Sequence, residues 1–330
     1  MKLLEVSELS VEAVRDGRTA TIVDRVSFAL DEGEILGLVG ESGSGKTVTC
    51  RALMRLLPTA SLAITGGRIL FDGTDVTALS DRQMHLVRGR RIGMIFQNPA
   101  SHLDPVMSIG QQIAESLTFH KRLVRRAAMS EAVELLRKVG IPDPARRAQD
   151  YPHQFSGGMR QRAMIALALA CAPKLLIADE PTTALDVTVQ AQILRLLLDL
   201  RDRDGLSIIL ITHDLGVVAQ TCDRIAVMYG GRIAENGPKR DVLAEPFHPY
   251  TARLIACQPG PGDGEDGPLL SIPGQPPSPF AWPPGCRFHP RCDRAIGRCR
   301  SQAPEPCMLR PDHAAACFVA EETLRGNRAA

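Results

Sequence analysis

The sequence predicts an α/β fold with a largely parallel sheet, on three observations. A glycine-rich octapeptide, Gly40-Glu41-Ser42-Gly43-Ser44-Gly45-Lys46-Thr47, lies between a short apolar stretch and a helix-like one. Short apolar runs recur at 91–96, 174–178 and 207–212, as expected of strands covered on both faces. Helical periodicity fills intervals between them, with Leu194, Leu197 and Leu198 giving an i, i+3, i+4 face between about Val187 and Arg203.

The octapeptide fits the G-x-x-x-x-G-K-[ST] phosphate-loop pattern, and its flanks have the required order of strand, loop and helix. The strand reads Glu34-Ile35-Leu36-Gly37-Leu38-Val39, and the helix runs from Val48 to Leu57, where Pro58 stops it. Glycines let backbone N–H groups turn inward around phosphate oxygens, and the positive end of the following helix faces the same anion. In this chemistry Lys46 reaches the β- and γ-phosphates and the Thr47 hydroxyl ligates Mg²⁺. A second carboxylate must hold the metal from the far side. Asp179, at the end of the apolar run 174–178, is its candidate, and Glu180 beside it is placed to activate water.

Taken in order, residues 3–9 and 21–30 alternate with β-branched residues around a turn at Gly17, an antiparallel flank to the main sheet. A further strand spans Gly67–Gly73, and the run 91–96 ends at Gln97. Residues 98 to about 170 carry helical rather than strand pattern, as in Met129–Val139, which Gly140 closes. Ile225–Tyr229, Gly230-Gly231 and Arg232–Glu235 form a hairpin. Residues 259–285 are dense in proline and glycine and read as a linker or extended arm.

At 330 residues the chain accommodates an α/β domain of roughly 200–250 residues plus an appendage. Charged residues are 23%, apolar ones 44% and the net charge is +2, so composition gives no reason to expect nucleic acid or anionic lipid as a partner. Glu5 and Glu8 come too early for a signal peptide, and the longest apolar run, 163–173, falls short of the roughly 18–20 residues of a membrane helix. The expectation is a soluble, cytoplasmic protein whose membrane part, where it has one, belongs to another chain. Of nine cysteines, five crowd the end: Cys286, Cys292, Cys299, Cys307 and Cys317. In a reducing compartment such a cluster reads as a metal site before disulfides.

Phe155-Ser156-Gly157-Gly158-Met159-Arg160-Gln161-Arg162 resembles the signature motif of ATP-binding cassette (ABC) proteins. Gln97 resembles the Q-loop glutamine, Ala184-Leu185-Asp186 the D-loop and His213 the H-loop histidine, all in family order between residues 35 and 235. The resemblance implies a RecA-like P-loop NTPase core with β flank at 1–97 and 171–245, an inserted helical subdomain at 98–170 and a Pro/Cys-rich extension at 246–330. It implies that Ser156, Gly157, Gly158 and Met159 act on ATP bound by a second subunit, that Gln97 contacts Mg²⁺ or γ-phosphate, and that His213 holds the attacking water in line with Glu180. Phe155 and Met159 depart from the family's usual Leu and Gln. The aromatic that stacks on adenine in this family is not evident either, since residues 11–24 contain no Phe, Tyr or Trp.

His248-Pro249-Tyr250-Thr251, Gly285-Cys286-Arg287-Phe288-His289-Pro290-Arg291-Cys292 and Tyr151-Pro152-His153-Gln154 resemble the oligopeptide/dipeptide (and nickel) importer ATPases. Cys286, Cys292, Cys299 and Cys317 match a four-cysteine pattern, leaving Cys307 spare. Four thiolates suit zinc or an iron–sulfur cluster, and the resemblance implies a [4Fe–4S] cluster. It would act as a structural staple for an arm whose apolar content is too low to hold itself. The function implied is ATP hydrolysis driving di- or oligopeptide import, with nickel or another small solute as the alternative cargo. Partners would be a second homologous ATPase, two permease subunits and an external solute-binding protein, with the chain peripheral on the cytoplasmic face of the membrane. A soluble repair or translation ATPase of the same family is disfavoured by the absence of coiled-coil insertions or a second cassette. A non-hydrolysing nucleotide binder is disfavoured by Glu180 and His213.

Overall fold

The computed structural model describes residues 1–183, 185–258 and 271–329 of the chain. Ala184 of the expected D-loop and residues 259–270 of the expected linker lie outside them. The chain divides into two compact units, one formed by Met1, 31–34 and 78–211, the other by 2–30, 35–77 and residues from 212 on.

In the second unit an antiparallel sheet has the order Arg18–Asp31, Lys2–Arg15, Leu62–Phe71, Thr74–Asp75. Its first two strands are longer than expected, and Gly17 at φ 72 makes the turn between them. Leu4, Val6 and Val11 stand opposite Phe71, Ile69 and Ile64, and a register shift between Ser7 and Val11 breaks the alternation. Glu8 there adopts φ 52, and Gly67 packs so closely that a Cβ would lie 2.5 Å from the Glu8 backbone. Alternate burial of Val26, Phe28 and Leu30 on the neighbouring strand, with Ile69 and Phe71, forms the apolar face.

The strand preceding the octapeptide, Ile35–Val39, pairs in parallel with Arg224–Tyr229, Val39 opposite Val227. Arg224–Tyr229 pairs antiparallel with Arg232–Pro238 across Gly230 and Gly231, at φ 54 and 79. Two positive-φ residues are what a type I′ hairpin turn demands. The sheet continues into His313–Ala315 and Cys307–Arg310, strands too short for alternation to mark them in the sequence. The C-terminal extension is therefore not a bare arm needing a staple. It adds two strands, and Leu309, Ala315, Cys317 and Ala320 bury a small core against which Phe247, Val319 and the supposedly spare Cys307 pack.

The helix after the octapeptide is Lys46–Leu53, starting two residues earlier and ending four residues earlier than expected. Arg55 takes φ 51, its N–H donates to Ala52 O and the Leu56 N–H donates to Arg51 O, so a Schellman-type closure ends the helix ahead of Pro58. An arginine in the position usually held by glycine gave no warning of it.

The first unit carries three parallel strands, Ile92–Ile95, Leu175–Asp179 and Ser207–Thr212, with Ile95 opposite Ala178 and Ala178 opposite Leu210. Between 98 and 170 the described residues form helices and no strand, chiefly Ile109–Lys121, Arg125–Lys138 and Gly157–Leu169. Ser108 and Gln111 cap the first of these reciprocally, and Gly140 at φ 76 closes the second. Helix Val187–Asp204 buries Ile193, Leu194, Leu197 and Leu200. Among the described residues no helix is long and apolar enough to cross a membrane.

Candidate functional site

The octapeptide turns sharply out of its strand. Gly40 sits at φ 150, where a Cβ would lie 2.2 Å from Met228 O, so no side chain fits. Gly43 and Gly45 also take positive φ, at 79 and 101, and the Thr49 N–H donates to Gly45 O to start the helix. The Lys46 ammonium is buried within the loop, donating to Gly40 O at 2.7 Å, Glu41 O at 2.9 Å and Ser44 Oγ at 3.3 Å. Gly231 N–H donates to Ser44 O, tying the hairpin turn to the loop. Ser42 and Gly43 are exposed at the loop's tip, and Thr47 is half-buried.

Two residues that sequence reasoning assigned no role here belong to the loop's surroundings. The Glu41 N–H donates to the hydroxyl of Tyr250 at 2.8 Å. The Glu41 carboxylate is gripped by the Arg291 guanidinium, Nη1 to Oε2 at 2.7 Å and Nη2 to Oε1 at 3.0 Å. In the sequence Tyr250 carries only a resemblance, and nothing in the spacing of Arg291 points to residue 41. Tyr229, Tyr250 and Phe288 pack against one another beneath this pair, with ring centroids 4.6 to 5.4 Å apart.

The stretch 11–24, without an aromatic of its own, is met by one from the extension: Trp282 Nε1–H donates to Thr21 O at 2.9 Å. The Arg287 guanidinium lies over that ring, 4.3 Å from its centroid, and ion-pairs with Asp24.

Behind the loop, Glu235 is completely buried. Its Oε1 accepts from Phe247 N–H at 2.8 Å and lies 2.7 Å from His313 Nε2, while its Oε2 accepts from His248 N–H at 2.9 Å. His248 Nδ1 in turn accepts from Tyr250 N–H and caps the helix Pro249–Ala256, so it must be unprotonated. Burial pushes its pKa down to about 4, against the opposing attraction of Glu235.

In the first unit the strand Leu175–Asp179 ends with Asp179 fully buried, and Glu180 follows at φ 48, a left-handed conformation that a β-carbon disfavours. The Glu180 N–H donates to Ile211 O. Its Oε2 accepts from Gln97 Nε2 at 2.9 Å and Thr183 Oγ1 at 2.8 Å. The structure thus brings Gln97 and Glu180 together, though they stand 83 positions apart.

Ser156 caps the helix Gly157–Leu169, accepting from Met159 N–H, and both Ser156 and Gly157 are exposed. Free N–H groups at this end provide the anion-receptive geometry that the motif requires. Phe155, in place of the usual Leu, is buried, so the departure is absorbed by packing. Gly158 approaches Val189 so closely that a Cβ would lie 2.7 Å from its Cγ1. Asp186 caps the helix Val187–Asp204 through Val189 N–H. His213 is exposed just beyond the strand Ser207–Thr212.

Burial pushes the Cys286 thiol up to about 11, with Cys299, Cys317 and Cys292 adding to the effect, and burial likewise raises Cys292 and Cys317. Among the described residues, however, no three His, Cys, Asp or Glu side chains form a group able to hold a metal ion. Cys307 donates through Sγ to Ala315 O within its strand pair.

Comparison with known proteins agrees with this geometry. The family described as ABC transporter matches residues 23–183, and that described as oligopeptide/dipeptide transporter, C-terminal region, matches 234–299. A probable peptide ABC transporter ATP-binding protein of Sinorhizobium fredii is 50% identical over 98% of this chain and 96% of its own. The dipeptide transport ATP-binding protein DppD of Bacillus subtilis is 47% identical over 97% of this chain and 96% of its own. A solved ATP-binding cassette, in a dimeric post-hydrolysis state bound to ADP and Pi, superposes with a TM-score of 0.65 at 27% identity, covering 72% of this chain and 99% of that one. The chain belongs to the ABC transporter family of ATP-binding proteins and carries the C-terminal region of the oligopeptide/dipeptide transporters.

Proposed function

We propose that this chain is the ATP-hydrolysing subunit of an importer of di- or oligopeptides. The observation that carries the reading is the union, in one chain, of a phosphate loop at 40–47 with the oligopeptide/dipeptide transporter C-terminal region at 234–299. The named relatives, matched over nearly their whole length, support the same cargo class.

In this reading backbone N–H groups of the loop beyond Glu41, whose own N–H is held by Tyr250, and the Lys46 ammonium bind the β- and γ-phosphates. Thr47, Gln97 and Asp179 would hold magnesium, which when bound supplies positive charge against the polyphosphate. Glu180 takes a proton from the attacking water, and His213 keeps that water in line with the γ-phosphate. Ser156, Gly157, Gly158 and Met159 serve the ATP of a second, homologous ATPase subunit, with Asp186 beside that junction. Two permease subunits and an external solute-binding protein complete the assembly, and the chain works from the cytoplasmic face of the membrane. Di- or oligopeptide delivery to the reconstituted assembly should raise ATP turnover. Stimulation by nickel alone would reassign the cargo.

The finer cofactor proposal is a [4Fe–4S] cluster on Cys286, Cys292, Cys299 and Cys317. Its support is the resemblance of Cys286, Cys292, Cys299 and Cys317 to a four-cysteine pattern. Zinc is the weaker alternative. For either metal centre, no group of three or more His, Cys, Asp or Glu side chains among the described residues is placed to hold an ion.

A further inference from the structure

An acidic residue inside an anion-binding loop is a physical puzzle. Glu41 places a carboxylate in the same turn that must receive a polyphosphate, and like charges at short range repel. The surroundings of Glu41 resolve it. All three of its polar groups are engaged: the N–H by Tyr250 Oη, the carbonyl by Lys46 Nζ and the carboxylate by Arg291. Arg291 is itself saturated. Beyond the fork on Glu41, its Nε donates to Pro273 O at 2.8 Å, its Nη2 to Ile272 O at 3.2 Å and its Nη1 to Tyr229 Oη at 3.3 Å. Its side chain is only 4% exposed. A guanidinium held by five hydrogen bonds has one orientation, and that orientation draws the Glu41 carboxylate onto itself. The turn that aims it is short: Arg291 N–H donates to Phe288 O, and His289 N–H to Cys286 O.

We propose that Arg291, with Tyr250, is a positioning residue for the phosphate loop, acting through Glu41 from the C-terminal extension. Arg291 neutralises the carboxylate and, with Tyr250, fixes the conformation of the first turn after Gly40 and with it the placement of the loop's later N–H groups. The extension is thus part of the nucleotide site. The inference rests on residues 40–47 binding nucleotide phosphates.

The test uses the full chain and a fluorescent ATP analogue, with hydrolysis measured in parallel and Lys46→Ala as a control. Arg291→Ala leaves an uncompensated carboxylate and is expected to weaken analogue binding by about tenfold or more, given the strength of charge-assisted hydrogen bonds. Its hydrolysis defect should appear in KM for ATP rather than in kcat. Arg291→Lys keeps the charge without the fork and should fall between. The decisive variant is Arg291→Ala combined with Glu41→Gln, because removing the second charge should restore most of the binding. Were Arg291 merely holding Ile272 and Pro273 in place, Glu41→Gln would rescue nothing, and that result overturns the proposal. Unchanged binding in Arg291→Ala, alongside loss in Lys46→Ala, overturns it as well. Wild-type protein that fails to bind the analogue would instead sink the reading of the loop itself. Glu41→Gln alone, at a half-buried loop position, serves as the variant least exposed to misfolding.

Discussion

Gln97 Nε2 donates to Glu180 Oε2 at 2.9 Å, and the Thr183 hydroxyl donates to the same oxygen at 2.8 Å. The carboxylate proposed to act on water is therefore held by two donors, on a backbone already fixed at φ 48. Strain of this kind persists where the surroundings over-determine it. Glu180→Gln keeps the shape but cannot take a proton, and turnover should fall by about a hundredfold or more, with ATP binding retained. Single-turnover hydrolysis and analogue binding measure the two separately. Turnover left intact by Glu180→Gln would remove Glu180 from the mechanism.

Lys46 holds its own loop together through Gly40 O, Glu41 O and Ser44 Oγ. Lys46→Ala should abolish measurable ATP binding. It also leaves buried carbonyls short of a donor, at a cost to stability of about 1–3 kcal/mol. Calorimetric titration with ATP and a thermal melt of the apoprotein read the two effects. A variant melting at the wild-type temperature would show that water replaces the ammonium.

Gly40 tolerates no substitution on steric grounds. Gly40→Ala would push a methyl to 2.2 Å from Met228 O at φ 150, displacing backbone rather than a side-chain tip. Loss of ATP binding with a lowered melting temperature is the expected outcome, whereas Gly43→Ala, with nothing within 4 Å of the added carbon, pays only conformational strain.

His248 gives the extension a pH limit. Its pKa is pushed down to about 4 by burial, below the ordinary value of about 6.5. Above pH 6.5 the ring is neutral in both folded and unfolded chains, and the full stability is present. As pH falls toward 4 the unfolded chain takes up a proton that the folded chain refuses, so stability drops through that window by on the order of 3 kcal/mol. Urea unfolding at a series of pH values should show the slope. His248→Asn, which keeps an N-cap acceptor without a titratable ring, should flatten it.

The proposed iron–sulfur cluster has an optical test. Anaerobically purified protein should be brown, with absorbance toward the blue end of the visible range. Colourless protein carrying one zinc per chain would replace the iron–sulfur proposal. In metal-free protein, the Cys286 thiol, raised to about 11 by burial, should alkylate slowly at neutral pH.

Much of this molecule was legible in one dimension, because the relevant physics is local. Gly40, Gly43 and Gly45 stand where the backbone needs positive φ or close approach, and Gly230-Gly231 where a tight hairpin turns. The apolar runs at 92–95, 175–179 and 207–212 mark strands buried on both faces. The missed elements had no such mark. The first helix ends on an arginine in the left-handed region, and the strands Cys307–Arg310 and His313–Ala315 are too short for their alternation to register.

The sequence by itself determined the phosphate loop, the order of the motifs and the family, since each is written in neighbouring residues whose backbone demands are local. Only the tertiary structure decided that Gln97 meets Glu180, that Glu235 is buried among His248, His313 and Phe247, and that Arg291 closes on Glu41 across 250 positions. The physical reason is that a charge carries no label for its partner. Attraction selects whichever opposite charge the packed chain delivers within about 3 Å, and that delivery is the work of the whole fold.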